Sequence, residues 1–193
     1  ILALLFIGLP VASLFLKIAP DSFFNELQNS VVIDALKLSL ITSVASALII
    51  VAFGTPVAYV SARYDYPGKE FVDTIIDLPV VLPPAVAGIA LLMAFGRAGV
   101  AGQYLNMAGI TVGFTTVAVV MAQLFVASPF YMRQAKSSFE DVDIVYENAA
   151  RTLGASRTWT FLYVTVPIAL NGLISGLITA WARALGEFGA TIM

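Results

Sequence analysis

Asp143-Ile144-Val145-Tyr146-Glu147-Asn148-Ala149-Ala150-Arg151-Thr152-Leu153-Gly154 reads as a short helix with both ends marked. Asp141 or Asp143 can serve as N-cap, because a short side-chain oxygen accepts the free N–H groups of a first turn. Ile144, Ala149, Ala150 and Leu153 are then spaced to share much of one face. Gly154 stands at the C-cap, where positive φ brings no Cβ clash. Arg151 in the last turn suits the helix dipole. Ser156 is placed to N-cap a following helix. The stretch Arg133–Trp159 is too long for a plain connector. It predicts a helix, a tight glycine turn and a second helix. Small alanines on an exposed helix leave room for a partner's groove. The competing reading, a helix lying flat on a membrane, is disfavoured by its moderate hydrophobicity and mixed charge.

On either side of this stretch the chain is apolar. A spanning helix needs about 20 mostly apolar residues. Five stretches qualify: 1–19, 36–62, 72–95, 112–132, and one that begins near Thr160 and runs past Ala180. Of the 193 residues, 60% are hydrophobic and 11% are charged, and mean hydropathy is +0.93. A soluble domain carries about 25% charge, which its surface needs to stay in solution. A soluble single-core domain and a disordered chain are both excluded. With no Cys there is no disulfide, thiolate nucleophile or Cys metal site. With no His, the usual neutral-pH acid/base and the commonest metal ligand are missing. The net charge of -2 and the lack of a basic stripe argue against nucleic acid. The chain starts at Ile1 and stops at Met193 inside apolar runs, so it reads as a piece of a longer protein.

The connections alternate. Pro20–Ala35 carries Asp21, Glu26 and Asp34, and Gly96–Thr111 is Gly-rich with Arg97 as its one cation. The connections Arg63–Glu70 and Arg133–Trp159 hold Arg63, Lys69, Arg133, Lys136, Arg151 and Arg157. Cytoplasmic loops carry the excess Lys and Arg. These two are therefore expected inside the cell, with the first helix running outward. The third span contains Pro79, Pro83 and Pro84, each of which removes a backbone bond and kinks a helix. Broken backbone at membrane depth survives only where protein or water covers it. Pro83, Pro84 and Gly88 are thus candidates for a substrate route, the alternative being a kink for packing. Ala85, Ala87, Gly88 and Ala90 allow close helix contact. Asp77 can cap the segment broken at Pro79 or pair with a cation of another helix. Arg183 and Glu187, four residues apart, can pair on one helix face. Either they line the route or its outer gate, or they lock helices together.

Asn148-Ala149-Ala150-Arg151-Thr152-Leu153-Gly154 followed by Val164-Thr165-Val166-Pro167 resembles the EAA loop of ABC importer permeases. The Gly and Pro fall at that family's spacing, with Val164 and Val166 as conservative replacements. The family's Glu position holds Asn148, and Glu147 lies one residue earlier, about 100° around the helix. Further stretches are similar to the molybdate and sulfate permeases: Tyr66-Pro67-Gly68-Lys69, Asp77-Leu78-Pro79, Leu82-Pro83-Pro84-Ala85-Val86-Ala87-Gly88, Phe95-Gly96-Arg97-Ala98-Gly99, Gln123-Leu124-Phe125-Val126-Ala127-Ser128-Pro129-Phe130 and Ala182-Arg183-Ala184-Leu185-Gly186-Glu187-Phe188-Gly189-Ala190-Thr191. The resemblance covers roughly residues 36–193 and favours the molybdate branch.

The resemblance implies an all-α integral membrane protein with the type I ABC importer permease fold. Residues 1–193 would form one permease domain, with about five spans here and at least one more after Met193. Residues 133–159 would form a cytoplasmic loop with a coupling helix near Asp143–Leu153. The expected function is the translocation pathway of an importer for an oxyanion, molybdate or tungstate first and sulfate or thiosulfate as the alternative. The protein would be a homodimer in the cell membrane, with two cytoplasmic ATPase subunits and an extracytoplasmic oxyanion-binding protein. The ATPase contact falls on Asp143, Glu147, Asn148, Ala149, Ala150, Arg151, Leu153 and Gly154. No Gly-x-x-x-x-Gly-Lys-Ser/Thr motif occurs, so ATP and Mg would sit on the partner subunits and this chain binds no cofactor. The rival class, an ion-coupled carrier, should show an internal repeat and several intramembrane carboxylates. No clear repeat is visible, and only Asp77 and Glu187 lie near the membrane.

Overall fold

The computed structural model describes residues 2–17 and 28–187. The end of the first predicted span (Ile18 and Ala19), the acidic positions Asp21 and Glu26, and Phe188–Thr191 of the last motif lie outside the described residues. Among the described residues every regular element is helical. Packing divides the chain at a point inside one long helix into two units, Ile1–Ile41 and Thr42–Met193.

The first unit holds α1, Leu2–Lys17, interrupted by Pro10. Its 16 described residues reach about 24 Å at 1.5 Å per residue, against about 30 Å of hydrocarbon. This unit also holds the start of α2, Ser30–Arg63.

The second unit takes the rest of α2 and everything after it. A sharply bent pair follows: α3, Lys69–Val81, and α4, Pro84–Phe95. Then come the short α5, Gly102–Met107, and the long α6, Thr116–Glu140. The helix α7 covers Ile144–Thr152, and α8 covers Arg157–Thr160. A single π-turn, Phe161–Thr165, runs into α9, Val166–Leu185. Ser30–Arg63, Thr116–Glu140 and the continuous Arg157–Leu185 are long and apolar enough to cross a membrane, and the bent pair makes a fourth if it crosses as one span.

Small side chains hold the second unit together. The buried stripe of α2 reads Ser43, Ala47, Ile50, Gly54, Ala58 and Ser61, spaced three or four apart. On α9 the stripe reads Ala169, Leu173, Gly176, Ala180 and Ala184. Both face α6. A Cβ on Gly54 would meet Tyr131 at 3.1 Å, and one on Gly176 would meet Gln134 at 3.0 Å. Meanwhile Leu48, Phe53, Ile174 and Ile178 point outward, 66%, 72%, 45% and 58% exposed. A soluble core would reverse this arrangement. In lipid, apolar tails solvate the large residues and helices associate through small ones.

A buried polar network also joins the helices. Gln123 on α6 donates to Thr42 at 3.2 Å and accepts from Ser46 at 2.8 Å. Trp181 donates to Ser43 at 3.2 Å. Each such interhelical bond contributes about 1 kcal/mol in a membrane protein.

Three expectations need correction. The kinked third span is two helices set at 119° to each other. Leu82 and Pro83 are extended between them (ψ 131° and 140°), and Pro84 starts α4. The residue before a proline is driven out of the helical region, and two successive prolines do this twice. Second, Arg133 and Lys136 are not in a loop. The helix α6 continues past the apolar run to Glu140, because Ala135 and Phe139 (both 0% exposed) still pack inward. Third, the helix entering α9 is not uniform. Pro167 offers no N–H to the preceding turn and crowds it, and Val166 N–H reaches back to the Phe161 carbonyl.

Candidate functional site

The helix α7 lies between the two long helices α6 and α9, and its ends are built as predicted. Asp143 is the N-cap, its Oδ1 accepting from Val145 N–H at 2.9 Å. At the far end Gly154 has φ +91°. Its N–H reaches the Arg151 carbonyl at 3.0 Å, and Ala155 N–H reaches Ala150 at 3.1 Å. This pair of bonds is a Schellman motif. Ser156 Oγ then accepts from Trp159 N–H at 3.2 Å and opens α8.

Outward, α7 shows Ile144, Val145, Tyr146, Asn148 and Ala149, and Leu153 beyond its end is 89% exposed. A shallow cleft of about 630 Å³ lies beside it, lined by Ala150, Leu153, Gly154, Ala155, Ser156, Trp159 and Val164. Trp159 stacks on Tyr163 with centroids 5.0 Å apart. Of the predicted contact residues, Asp143, Asn148, Ala149, Leu153 and Gly154 are exposed and Ala150 is half-buried.

Glu147 does not join that surface. It is 2% exposed and turned inward. Oε1 accepts from Arg63 Nε at 2.9 Å and from Thr165 Oγ1 at 3.0 Å. Oε2 accepts from Tyr59 Oη at 3.2 Å and, more distantly, from Arg151 Nη2 at 3.5 Å. Arg63 also donates to the Val142 carbonyl at 2.7 Å. Expected among the outer contact residues, Glu147 instead ties α7 to the end of α2 and to the π-turn. One position of helix rotation separates it from the outward Asn148. Arg151 follows it, half-buried beside the same carboxylate. The bond from Arg63 also puts the two cation-bearing connections, 63–69 and 141–156, at one end of this unit.

Nothing in the linear sequence points to Tyr59, Arg63 or Thr165 as partners of Glu147; Arg63 reads as a loop cation and Thr165 only as part of a motif. The available signal was Glu147 itself, a charged residue on the side of α7 opposite its exposed alanine. A second set of ion pairs was half visible. Asp77 pairs with Arg133, and Asp73 pairs with Lys136 at 2.7 Å, joining α3 to α6. The two acids stand four apart and the two cations three apart, so one helix face meets the other. Asp77 is therefore the partner of a cation on another helix, one of its two predicted roles.

Of the candidate route residues, Pro83 and Pro84 are exposed at the corner between α3 and α4, and Gly88 is buried on α4. Arg183 Nη1 meets Glu187 Oε2 at 2.7 Å, and the Glu187 side chain is 1% exposed. Among the described residues, no cluster of three or more acidic side chains could hold a metal ion.

Long apolar helices packed through small residues, with a capped amphipathic helix at their cation-bearing end, are those of a multi-pass membrane protein. Residues 50–193 match the family described as binding-protein-dependent transport system inner membrane component. The chain belongs to that family, and its helices adopt the type I ABC importer permease fold. Its relatives are permease subunits of transport systems. The molybdate/tungstate transport system permease protein WtpB of Pyrococcus abyssi is 40% identical over 192 residues, covering 98% of this chain and 72% of that protein. The molybdenum transport system permease protein ModB of Mycobacterium tuberculosis is 40% identical over 192 residues, covering 100% of this chain and 73% of that protein. ModB of Haemophilus influenzae is 43% identical over 161 residues, covering 83% and 70%.

Proposed function

We propose that this chain forms the translocation pathway of an ATP-driven importer for molybdate or tungstate. The similarity to permeases named for those two ions, across nearly the whole chain, carries the substrate assignment. The exposed face of α7 carries the coupling assignment. Two copies of the chain enclose one pathway, and two cytoplasmic ATPase subunits hold ATP and Mg and dock on Asn148, Ala149, Ala150 and Leu153. Alanines at Ala149 and Ala150 let a partner helix approach closely, and the cleft lined by Leu153 and Trp159 receives an apolar side chain. An extracytoplasmic binding protein delivers the oxyanion at the opposite end.

The corner at Pro83 and Pro84 borders the route, where the broken backbone needs water or protein around it. Arg183 and Glu187 lock the end of α9, a role supported by the burial of the Glu187 carboxylate. Selectivity rests mainly with the binding protein, because a pathway that must release its ion holds it weakly.

The test uses full-length permease with its ATPase partner and binding protein in liposomes. ATP hydrolysis should rise with molybdate-loaded binding protein and stay near its resting rate with the empty or sulfate-loaded form. Equal stimulation by sulfate would move the assignment to the sulfate branch. No stimulation by any form would sink the importer reading.

A further inference from the structure

We infer that Glu147 is the joint through which displacement of α7 reaches the membrane helices. It is a positioning residue for transport, not a contact to the ATPase. The inference rests on the reading of α7 as the docking helix.

Among the described residues, Glu147 is the one residue of α7 whose side chain is bonded to two other elements that lead into the membrane. Through Arg63 and Tyr59 it holds the end of α2, and through Thr165 it holds the start of α9. The link is stiff. Tyr59 packs edge-on to Phe139 (5.5 Å between centroids) and tilts against Phe161 (4.6 Å). These rings help exclude water from the carboxylate, and attraction between charges strengthens as the local dielectric falls. Arg63 is anchored twice, to Glu147 and to the Val142 carbonyl just before α7. A push on α7 therefore moves the end of α2 with it.

The third attachment is placed differently. Thr165 sits on the π-turn, where i→i+5 bonding replaces the α pattern. Such turns are single-turn departures that mark functional positions in helices. The carboxylate thus grips one span at a regular end and the other at its least regular turn. Displacement of α7 would pull α9 about this turn while carrying α2 along as a rigid body. The outer face of α7 is left free for the partner, so docking and transmission use opposite sides of one helix.

Glu147→Gln keeps the shape, removes the charge and points an NH2 group at donors. The complex of permease, ATPase subunit and binding protein is reconstituted in liposomes, with molybdate as the transported probe. Two quantities are read: ATPase subunit bound per permease, and molybdate moved per ATP hydrolysed. E147Q should keep its bound ATPase subunit, while molybdate moved per ATP falls about tenfold, within the range of couplings between distant sites. A normal ratio in E147Q overturns the inference. If E147Q does not assemble, Thr165→Val decides. It leaves the Glu147–Arg63 pair intact and removes only the grip on the π-turn, so the ratio should still fall, and an unchanged ratio overturns the inference. If the unsubstituted chain binds no ATPase subunit, the docking reading fails instead, separately from any effect of these substitutions.

Discussion

Two ion pairs of similar length have different energetic weight because of where they lie. Arg63 and Glu147 are 10% and 2% exposed at their side chains, whereas Arg133 and Asp77 are 52% and 39% exposed. Removing one partner of a buried pair leaves an uncompensated charge and costs about 3–5 kcal/mol. An exposed pair contributes about 0–1 kcal/mol. Arg63→Ala should therefore lower the thermal unfolding temperature of the purified permease by many degrees, and Asp77→Asn should move it little. Equal shifts would contradict the burial seen here. At this scale the sequence was legible where partners are near neighbours, as with Asp143 on Val145 or Arg183 on Glu187. It was not legible for Glu147, whose partners lie 84, 88 and 18 residues away. No local pattern announces such distances.

Among elements, α7 is the one whose limits were readable, because its ends are set by local chemistry. An Asp oxygen and a glycine with positive φ terminate it regardless of what surrounds it. The end of α6 depends instead on Ala135 and Phe139 meeting neighbours far along the chain, so hydropathy alone stopped it too early. The break in the third span was legible as prolines, but the 119° turn depends on the backbone between two of them. The π-turn carries no spacing signal beyond Pro167 downstream. Gly154 allows a direct test of the local rule. A Cβ there would meet nothing within 4 Å, so only backbone strain at φ +91° opposes it. Gly154→Ala should cost about 1–2 kcal/mol of local stability, the penalty for an L-residue in left-handed backbone. Hydrogen exchange should then quicken in 144–152 and not in α6. Unchanged protection would show that packing, not the turn, fixes the helix end.

For the whole molecule, the apolar composition and loop charges anticipate membrane helices, and the small-inside, large-outside pattern of α2 and α9 agrees. Both cation-bearing connections can lie on one side only if the bent α3–α4 pair carries the chain across once. The absence of cysteine allows this to be tested. Asp65→Cys, in the connection before α3, and Asn106→Cys, after α4, made singly, each introduce one thiol. A membrane-impermeant maleimide should label the first only from the cytoplasmic side and the second only from the other side. Labelling of both from one side would mean that the pair enters and leaves by the same face.

The double capping of α7 has a consequence for a partner that engages it. Nine residues are too few to hold a helix alone in water, where about 12–15 are marginal. Here the Asp143 cap, the Schellman turn and the buried carboxylate hold it formed before anything arrives. A docking subunit therefore meets a finished shape and loses no binding energy to ordering it.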